Sequence, residues 1–346
     1  MKRKLIEYVV CPECKGNFTI ECFHNDGIEV EEGVLLCDKG HMFPIINGVP
    51  RLLPRHLLNE LIKSHPEFIN RYLDFPVKKA RNTNMTIKTM KSFGYQWNKF
   101  DNMYDFWEEE FLDYIYPIGK EFFSNKLGLD AGCGMGRFIF YGAKYGAEMI
   151  GVDLSNAVEA AYRNNKYNEK VHIVQADIYN LPFRPSTFDF VYSIGVLHHL
   201  PKPKKGFESL LPFLKPKGDI FIWVYGKASH TLWQKLRKVL QHIQHIPYSL
   251  INSFSFLIAI CIWSFFIIPN RIRHRLGLIK KEEMKFRRWT FKPFRVVYAD
   301  CFDQLSAPIA FYYDKQDIRK WFADNGLTSM MIASRDKNSW RAYGRT

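Results

Sequence analysis

The feature that most constrains the fold is an alternation of apolar runs and helical patterns that begins at Leu127. Five apolar runs, separated by segments with helical spacing, lie at 127–130, 149–153, 171–177, 188–193 and 219–224. Such runs predict parallel strands that helices cover on both faces. After a helix at about 315–325, two more runs (328–334 and 339–343) are joined by a turn so short that they must be antiparallel. The sequence therefore predicts an α/β fold, a Rossmann-like doubly wound sheet of seven strands that ends in an antiparallel hairpin.

A glycine-rich turn follows the first of these strands, and each of the first three strands ends in an aspartate. Glycine lets the backbone approach a ligand closely, and open parallel sheets bind ligands beyond the carboxyl ends of their strands. We interpret the turn as a loop that wraps the methionine part of S-adenosylmethionine. Asp153 would accept hydrogen bonds from the ribose hydroxyls, and Asp177 would accept one from the adenine amino group. The residues concerned are Asp130, Gly132, Gly134, Gly136, Asp153 and Asp177.

The competing interpretation is a dinucleotide site, because glycine-rich turns after a first strand mark those as well. Here the glycines follow a Gly-x-Gly-x-Gly pattern, one residue tighter than the dinucleotide pattern, and an acid precedes them. A sulfonium cofactor carries a positive charge and no phosphates, so an acidic entrance suits it better. The pattern therefore favours the sulfonium cofactor.

Four segments resemble the class I S-adenosylmethionine-dependent methyltransferases, above all the group similar to ubiquinone and menaquinone methyltransferases. They read LDAGCGMGR from Leu129, GVDLS from Gly151, ADIYNLPF from Ala176 and GVLHHL from Gly195. With the terminal hairpin, the resemblance covers a little over half of the chain. It departs at Ala131, where a larger apolar residue is common. The resemblance implies that Leu154, Ile178 and Ser193 join the cofactor site.

Two histidines, His198 and His199, follow the fourth strand at the mouth of the predicted site. An imidazole titrates near neutral pH, so His198 is the predicted general base for an acceptor that must lose a proton. The alternative is that both histidines have structural roles. The Asn-Pro-Pro-aromatic box of enzymes that methylate exocyclic amines of bases is missing after this strand, which favours an oxygen, a carbon or a different kind of nitrogen as the acceptor.

Near the N-terminus, three cysteines and a histidine have the spacing of a metal site. Cys11, Cys14, Cys37 and His41 form a Cys-x-x-Cys and Cys-x-x-x-His pair, which suits a closed tetrahedral site for structural zinc. Reduced cysteine turns without metal are the alternative. The stretch from Cys37 to Leu53 resembles the zinc-ribbon-like Trm112 domain, although His41 stands where a cysteine is common.

These patterns predict a zinc-binding domain at 1–54, a connector with N-terminal helices at 55–125, and a methyltransferase domain at 126–346. The connector includes a helix at about 104–124 and the segment Phe93–Trp97, interpreted either as a flap over the site or as packing on the sheet edge. The methyltransferase domain carries a helical insertion at about 226–314.

The centre of the insertion, Ile246 to Pro269, has no charged residue, and a helix over 248–268 would approach the thickness of a bilayer core. Basic residues flank it on both sides, which places both flanks in the cytoplasm. One interpretation is a lid or shallow membrane anchor at 246–269 that admits a hydrophobic acceptor. The other is buried helices or a dimer interface. The flanking residues are Lys235, Arg237, Lys238, Arg271, Arg273, Arg275, Lys280 and Lys281.

Three functions are consistent with the sequence. The first is a methyltransferase for a small-molecule or lipid-linked acceptor, with O- or C-methylation favoured. The second is an RNA methyltransferase, suggested by the zinc module, the net charge of +14 and basic runs such as 202–205. The third is a cofactor-binding scaffold without catalysis. The start of the chain lacks the apolar run of a secretory signal, so we expect a cytoplasmic protein, peripheral to the inner face of the membrane if the anchor interpretation holds.

Overall fold

The chain divides into two compact units, and the computed structural model describes residues 1–72, 85–227, 246–335 and 338–346. One unit comprises Met1–Ala228 and Ile309–Thr346, and the other comprises Ser229–Pro308. The second unit begins and ends close to the bounds predicted for the insertion. The boundaries predicted near residues 54 and 125 have no counterpart in this division. The predicted basic flank at Lys235, Arg237 and Lys238 lies outside the described residues.

Eleven strands form one sheet in the first unit, in the order β1-β2-β3-β4-β7-β6-β5-β8-β9-β11-β10. The strands are β1 (Phe18–Asn25), β2 (Val30–Cys37), β3 (Met42–Ile46), β4 (Val49–Leu52), β5 (Leu127–Ala131), β6 (Glu148–Asp153), β7 (Val171–Ala176), β8 (Phe188–Ile194), β9 (Leu214–Tyr225), β10 (Thr328–Arg335) and β11 (Ser339–Arg345). Strands β5 to β9 pair in parallel, and β11 runs antiparallel to both β9 and β10. The predicted parallel strands and terminal hairpin are all present.

The helices in the described part of the chain cover the sheet or belong to the second unit. The α-helices are α1 (Leu58–Ser64), α2 (Pro66–Tyr72), α3 (Met85–Lys99), α4 (Trp107–Tyr114), α5 (Arg137–Lys144), α6 (Ala157–Asn165), α7 (Pro203–Glu208), α8 (Tyr248–Ile262), α9 (Ile268–Arg275), α10 (Arg287–Thr290), α11 (Phe294–Ser306) and α12 (Lys315–Asp324). Short 3₁₀ turns lie at Arg3–Glu7, Arg55–Leu57, Lys120–Phe123, Ile178–Asn180, Leu197–His199, Leu211–Phe213 and Lys281–Glu283.

The single helix predicted over 104–124 is wrong in extent. The α-helix α4 ends at Tyr114, and a 3₁₀ turn at Lys120–Phe123 follows after a break. The break contains Pro117, which a cis peptide bond joins to Tyr116. Proline has no N–H to continue the helical ladder and disfavours helical backbone in the residue before it.

The N-terminal strands lengthen the sheet beyond the predicted seven strands. β4 pairs in parallel with β7, with Arg51 opposite Gln175 and Leu52 opposite Ala176. Without β4, that edge of β7 would present unpaired N–H and C=O groups to solvent. Periodicity alone did not reveal this pairing, because a strand of four residues carries almost no pattern. Residues 1–54 are therefore continuous with the sheet that carries the predicted cofactor site.

A buried ion pair joins the added strands to the helix layer. The Arg51 side chain has no exposed surface, and its guanidinium donates to the Glu159 carboxylate on α6 at 2.5 Å. It also donates to the Gln175 side chain at 3.1 Å and to the backbone oxygen of Ile46 at 3.0 Å. A buried guanidinium needs such partners, because an unpaired charge away from water is strongly destabilising.

The second unit is helical where the structure describes it. α8 and α9 form one helix, Tyr248–Arg275, interrupted by a π-helical turn at Trp263–Ile267. Pro269 lies two residues beyond this turn, and its missing N–H cannot bond to the carbonyl four residues earlier, which is a common cause of such a turn. The predicted helix at 248–268 is therefore present and extends seven residues further.

Candidate cofactor site

The glycine loop between β5 and α5 adopts a backbone that other residues rarely reach. Gly132, Gly134 and Gly136 have φ values of +93°, +53° and +80°. A β-carbon on Gly132 would also lie 2.3 Å from a Val196 methyl group, and one on Gly136 would lie 2.5 Å from Asn165 Nδ2. Both approaches are shorter than a van der Waals contact, so the loop requires glycine for space as well as for conformation. The predicted loop is therefore a tight bend at the end of the first parallel strand.

Asp153 organises the loops on either side of it. It ends β6, and its Oδ2 accepts a hydrogen bond from the Gly134 N–H at 3.0 Å. Its Oδ1 accepts from the Ser155 N–H at 2.8 Å and from the Ser155 hydroxyl at 2.6 Å. Burial raises the pKa of Asp153, while these donors act in the opposite direction. The carboxylate thus holds the glycine loop and the β6–α6 loop together, and its role toward ribose stays a prediction.

Asp130 lies deeper in the site than Asp153. It belongs to β5 and is almost fully buried. Burial raises its pKa from 3.8 to about 8, with a smaller contribution in the same direction from Asp153. The Tyr192 side chain acts in the opposite direction. A carboxyl group that is shielded from water in this way favours a cationic ligand, because the charge of the ligand offsets the cost of ionising the carboxyl group.

Asp177 and its neighbours lie at the carboxyl end of β7, along the same edge of the sheet. Asp177 follows β7 and accepts a hydrogen bond from the Tyr179 N–H at 3.0 Å, which begins the 3₁₀ turn. Burial raises its pKa. Ile178 is buried, and the Leu154 carbonyl accepts from the Gln175 side chain at 2.9 Å. The Ser193 hydroxyl donates to the Ala131 carbonyl at 2.8 Å, so it ties β8 to β5. All the predicted cofactor residues therefore lie along the carboxyl edges of β5 to β8.

The segment Phe93–Trp97 belongs to α3, which lies along the same edge. A β-carbon on Gly94 would be 3.3 Å from the Asn156 backbone nitrogen, and one on Gly134 would be 3.2 Å from Trp97 Nε1. The Phe93 ring lies 5.0 Å from the His199 ring. These contacts support the interpretation of the segment as a cover over the glycine loop and the histidines. Its helical structure was not predicted, because a glycine among aromatic residues does not favour a helix.

An aromatic cluster surrounds the two histidines, and we define it as Phe93, His198, His199, Trp223, Tyr225 and Tyr312. His198 is fully buried, with its ring centroid 3.9 Å from that of Tyr225. His199 is anchored differently, because its Nδ1 lies 2.5 Å from the carbonyl of Ile309. Sequence reasoning missed Tyr225 and Tyr312, which only the tertiary fold brings to the histidines.

The four predicted metal ligands come together in the N-terminal segment. The Nδ1 of His41 lies 3.4 Å from Cys11 Sγ and 3.3 Å from Cys37 Sγ, and the Sγ atoms of Cys14 and Cys37 are 3.6 Å apart. All four ligand atoms lie within 4.8 Å of one another. Zinc–sulfur bonds of about 2.3 Å in a tetrahedron require ligand separations of roughly 3.8 Å, so the cluster fits this metal.

A family profile described as a methyltransferase domain matches residues 129–222. Residues 129–222 are therefore similar to a methyltransferase domain. The matched segment contains the glycine loop, the three strand-end aspartates, Ser193 and both histidines. It supports the assignment of this part of the chain to the class I S-adenosylmethionine-dependent methyltransferases.

Curated relatives match parts of the chain. An uncharacterized protein of Synechococcus sp. is 28% identical over 218 residues, which cover 60% of this chain and 49% of that protein. The sterol 4-C-methyltransferase strm-1 of Caenorhabditis elegans is 34% identical over 100 residues, which cover 28% of this chain and 30% of the relative. This chain thus spans about half or less of the length of these relatives.

Among solved structures, one similar fold is phosphoethanolamine N-methyltransferase 2 of Haemonchus contortus in complex with phosphomonomethylethanolamine and S-adenosylhomocysteine. It has a TM-score of 0.48 and 14% identity, and the alignment covers 78% of this chain and 61% of that one. The first of these two methyltransferases is named for transfer to a sterol carbon, and the second for transfer to a phosphoethanolamine nitrogen.

The raised pKa of Asp130 predicts a pH-dependent stability for the ligand-free protein. Because the folded state favours the protonated acid, its stabilising effect is complete below the unfolded pKa of 3.8 and is lost as pH rises through about 8. We expect the free energy of unfolding to fall by a few kcal/mol, on an order-of-magnitude basis, between about pH 6 and pH 9. Urea unfolding at several pH values measures this decline.

The variant Asp130→Asn should flatten the decline over that range, since the amide does not ionise. Asp189→Asn serves as the control, because Asp189 lies away from the glycine loop and bonds to the Leu127 N–H and to Lys215. An equally steep decline in Asp130→Asn and the unmodified chain would contradict the assignment to Asp130.

Proposed function

We propose that the chain is an S-adenosylmethionine-dependent methyltransferase that acts on a small-molecule or lipid-linked acceptor, with transfer to oxygen or carbon favoured. The observation that supports it most is the convergence of the glycine loop with Asp130, Asp153 and Asp177 at one sheet edge. This edge lies within the methyltransferase domain at 129–222.

The cofactor would supply a methyl group on a cationic sulfur, and the protein would supply alignment and a dry environment. The glycine loop gives backbone atoms access without β-carbons, and Asp153 keeps that loop in place through the Gly134 N–H. Burial keeps the pKa values of Asp130 and Asp153 above their ordinary values, and a bound cation without phosphates would favour their charged forms. The cover formed by α3 would exclude water. Methyl transfer from sulfur is an in-line displacement, and it needs little from the protein beyond such a dry site and the alignment of the two reactants.

The acceptor side favours an apolar, partly planar molecule. The aromatic cluster supplies flat apolar faces beside Gly195, whose β-carbon would lie 3.4 Å from the Trp223 ring. RNA is the weaker candidate as acceptor, because the basic run of this chain at 202–205 is partly neutralised. Lys204 lies 2.6 Å from Asp324 and 3.7 Å from Glu208. The intact glycines and acids of the site argue against the scaffold hypothesis.

The first test of this proposal is calorimetric binding of S-adenosylmethionine and S-adenosylhomocysteine to the full chain. Asp177→Ala should weaken both by about tenfold or more, because a partly buried acceptor for a cofactor N–H is lost. Asp189→Asn should bind as the unmodified chain does. If folded protein gives no heat of binding with either nucleotide, the proposal is overturned.

The acceptor class can then be tested with labelled cofactor and two pools, a lipid and metabolite extract and total RNA. We expect label in the extract. Label confined to RNA, together with binding that weakens steeply as salt rises, would replace this acceptor class by nucleic acid.

His198 is the proposed general base, with His199 in a structural role. His198→Ala should lower turnover on the extract by about 10²- to 10⁴-fold while the Kd for S-adenosylmethionine stays within about twofold. His199→Ala is the matched control; it removes the contact with the Ile309 carbonyl and should affect thermal stability more than turnover. Unchanged turnover in a folded His198→Ala variant would end the catalytic role.

We further propose that Cys11, Cys14, Cys37 and His41 hold a structural zinc ion that supports the cofactor site. The Cys11–Cys14 turn packs on the chain just beyond Asp177. The Val10 N–H donates to the Pro182 carbonyl at 2.8 Å, and Lys15 Nζ lies 3.1 Å from Asn180 Oδ1. A metal that fixes this turn would also fix the loop after β7.

Metal removal should therefore affect stability and cofactor binding together. Cys37→Ser should retain less than half an equivalent of zinc by elemental analysis, melt at a lower temperature and bind S-adenosylmethionine more weakly. Cys22→Ser changes a cysteine outside the cluster and should retain full zinc. Purified unmodified protein with less than half an equivalent of zinc would remove the claim.

A further inference from the structure

The apolar helix, Tyr248–Arg275, shows two different faces in the second unit. One face contains Ser255, Ala259 and Ile262, which are buried against the unit itself. α11 contributes to this packing: its Phe294 ring lies 5.5 Å from Trp263, and the Tyr298 hydroxyl donates to the Asn252 carbonyl at 3.3 Å. This face is a normal helix–helix contact.

The opposite face carries large apolar side chains that are exposed along the whole length of the helix. Phe254, Leu257 and Phe265 have 56%, 58% and 73% of their surface accessible. Only 22% of the most apolar stretch of the helix is buried. The spacing of three or four residues places these side chains in one row, which we name the apolar stripe: Leu250, Phe254, Leu257, Cys261, Phe265, Ile268 and Ile272. A row of this length exceeds the scattered apolar residues of ordinary protein surfaces.

Exposed cations gather at the C-terminal end of the apolar stripe. Arg273, Arg275, Lys280 and Lys281 are exposed, and the sequence has no aspartate or glutamate from Ile246 to Lys281. This charge is complementary to a surface of anionic phospholipid headgroups. Glu282 and Glu283 follow Lys281 directly, but the stretch from Ile246 to Glu283 still has five Lys or Arg residues against these two acids, so a second copy would add a like net charge of +3.

The neighbouring helix argues against a membrane crossing by the apolar helix. α11 packs along it and carries Asp300, which accepts a hydrogen bond from Trp289 Nε1 at 2.6 Å and lies 3.9 Å from Arg288. A crossing helix would draw these charged side chains toward the hydrocarbon, where they are strongly disfavoured. A helix in the interface plane keeps α11 on the aqueous side and immerses only the apolar stripe.

The connection to the sheet also disfavours a single crossing. The Lys227 N–H donates to the Tyr313 carbonyl at 2.8 Å, so the chain leaves and re-enters the sheet at adjacent positions. Both ends of the insertion therefore lie on one side of any membrane. Length and composition alone would permit the Tyr248–Arg275 helix to span a bilayer, and it is the single candidate in the described part of the chain.

We propose that the apolar stripe and its exposed basic end form a docking surface for a bilayer that contains anionic phospholipid. The helix lies in the headgroup region, with Phe254, Leu257 and Phe265 inserted. Docking of this kind needs no property of the cofactor site, so it is independent of the methyltransferase activity. Docking of this kind keeps the chain on one membrane face, as the predicted localisation at the inner face requires.

The experiment is flotation of the full chain with vesicles of phosphatidylcholine alone and of phosphatidylcholine mixed equally with phosphatidylglycerol. We expect flotation with the anionic vesicles and at least about tenfold weaker binding to the neutral ones, since each cation near an anionic surface contributes about fivefold. The double variant Leu257→Glu, Phe265→Glu should lose binding to both. Arg273→Ser with Arg275→Ser should lose the preference for anionic vesicles.

Ile28→Glu is the matched control, because Ile28 is 81% exposed but lies in the N-terminal segment, so this variant should float as the unmodified chain does. Circular dichroism and the urea midpoint verify that each variant is folded. Unmodified protein that stays with the soluble fraction overturns the proposal. If sedimentation then finds a dimer that Leu257→Glu, Phe265→Glu dissociates, a second copy of the chain covers the stripe instead.

Discussion

The arrangement of the site depends on one interaction, the hydrogen bond from the Gly134 N–H to the Asp153 carboxylate. Asp153 also accepts from Ser155, so a single side chain fixes the glycine loop and the loop after β6 relative to each other. The start of the glycine loop is also held by the backbone, since the Gly132 and Cys133 N–H groups donate to the Val152 carbonyl at 2.7 and 2.9 Å. The Asp153 carboxylate adds the bond at Gly134, where the loop turns away from the strand.

The same edge is supported from outside by the N-terminal strands. Arg51 in β4 bonds to Gln175, and the Gln175 amide in turn donates to the Leu154 carbonyl beside Asp153. The chain beyond Asp177 is held by the turn that carries Cys11 and Cys14. The N-terminal segment is therefore connected to the site by hydrogen bonds that begin in its own strands. This connection explains why the segment belongs to the same compact unit as the rest of the sheet.

The strands and the cofactor residues could be predicted from sequence because both depend on local patterns. Each run from β5 to β8 is apolar and buried on both faces, and each glycine of the loop has a backbone that favours glycine. The pairing of β4 with β7 joins residues more than a hundred positions apart, and no local pattern encodes it. For the same reason Tyr225 and Tyr312 were not predicted beside His198, and Pro117 shortened a helix whose apolar spacing continued past it.

The bond between Lys227 and Tyr313 has a consequence for how such a protein can diversify. Because the two ends of the insertion meet at neighbouring positions of the sheet, closing the loop places little demand on what lies between them. Segments of quite different length and chemistry can be exchanged at this junction without moving β9 or β11. A sheet edge with this arrangement can in this way acquire a different binding surface when one inserted segment replaces another.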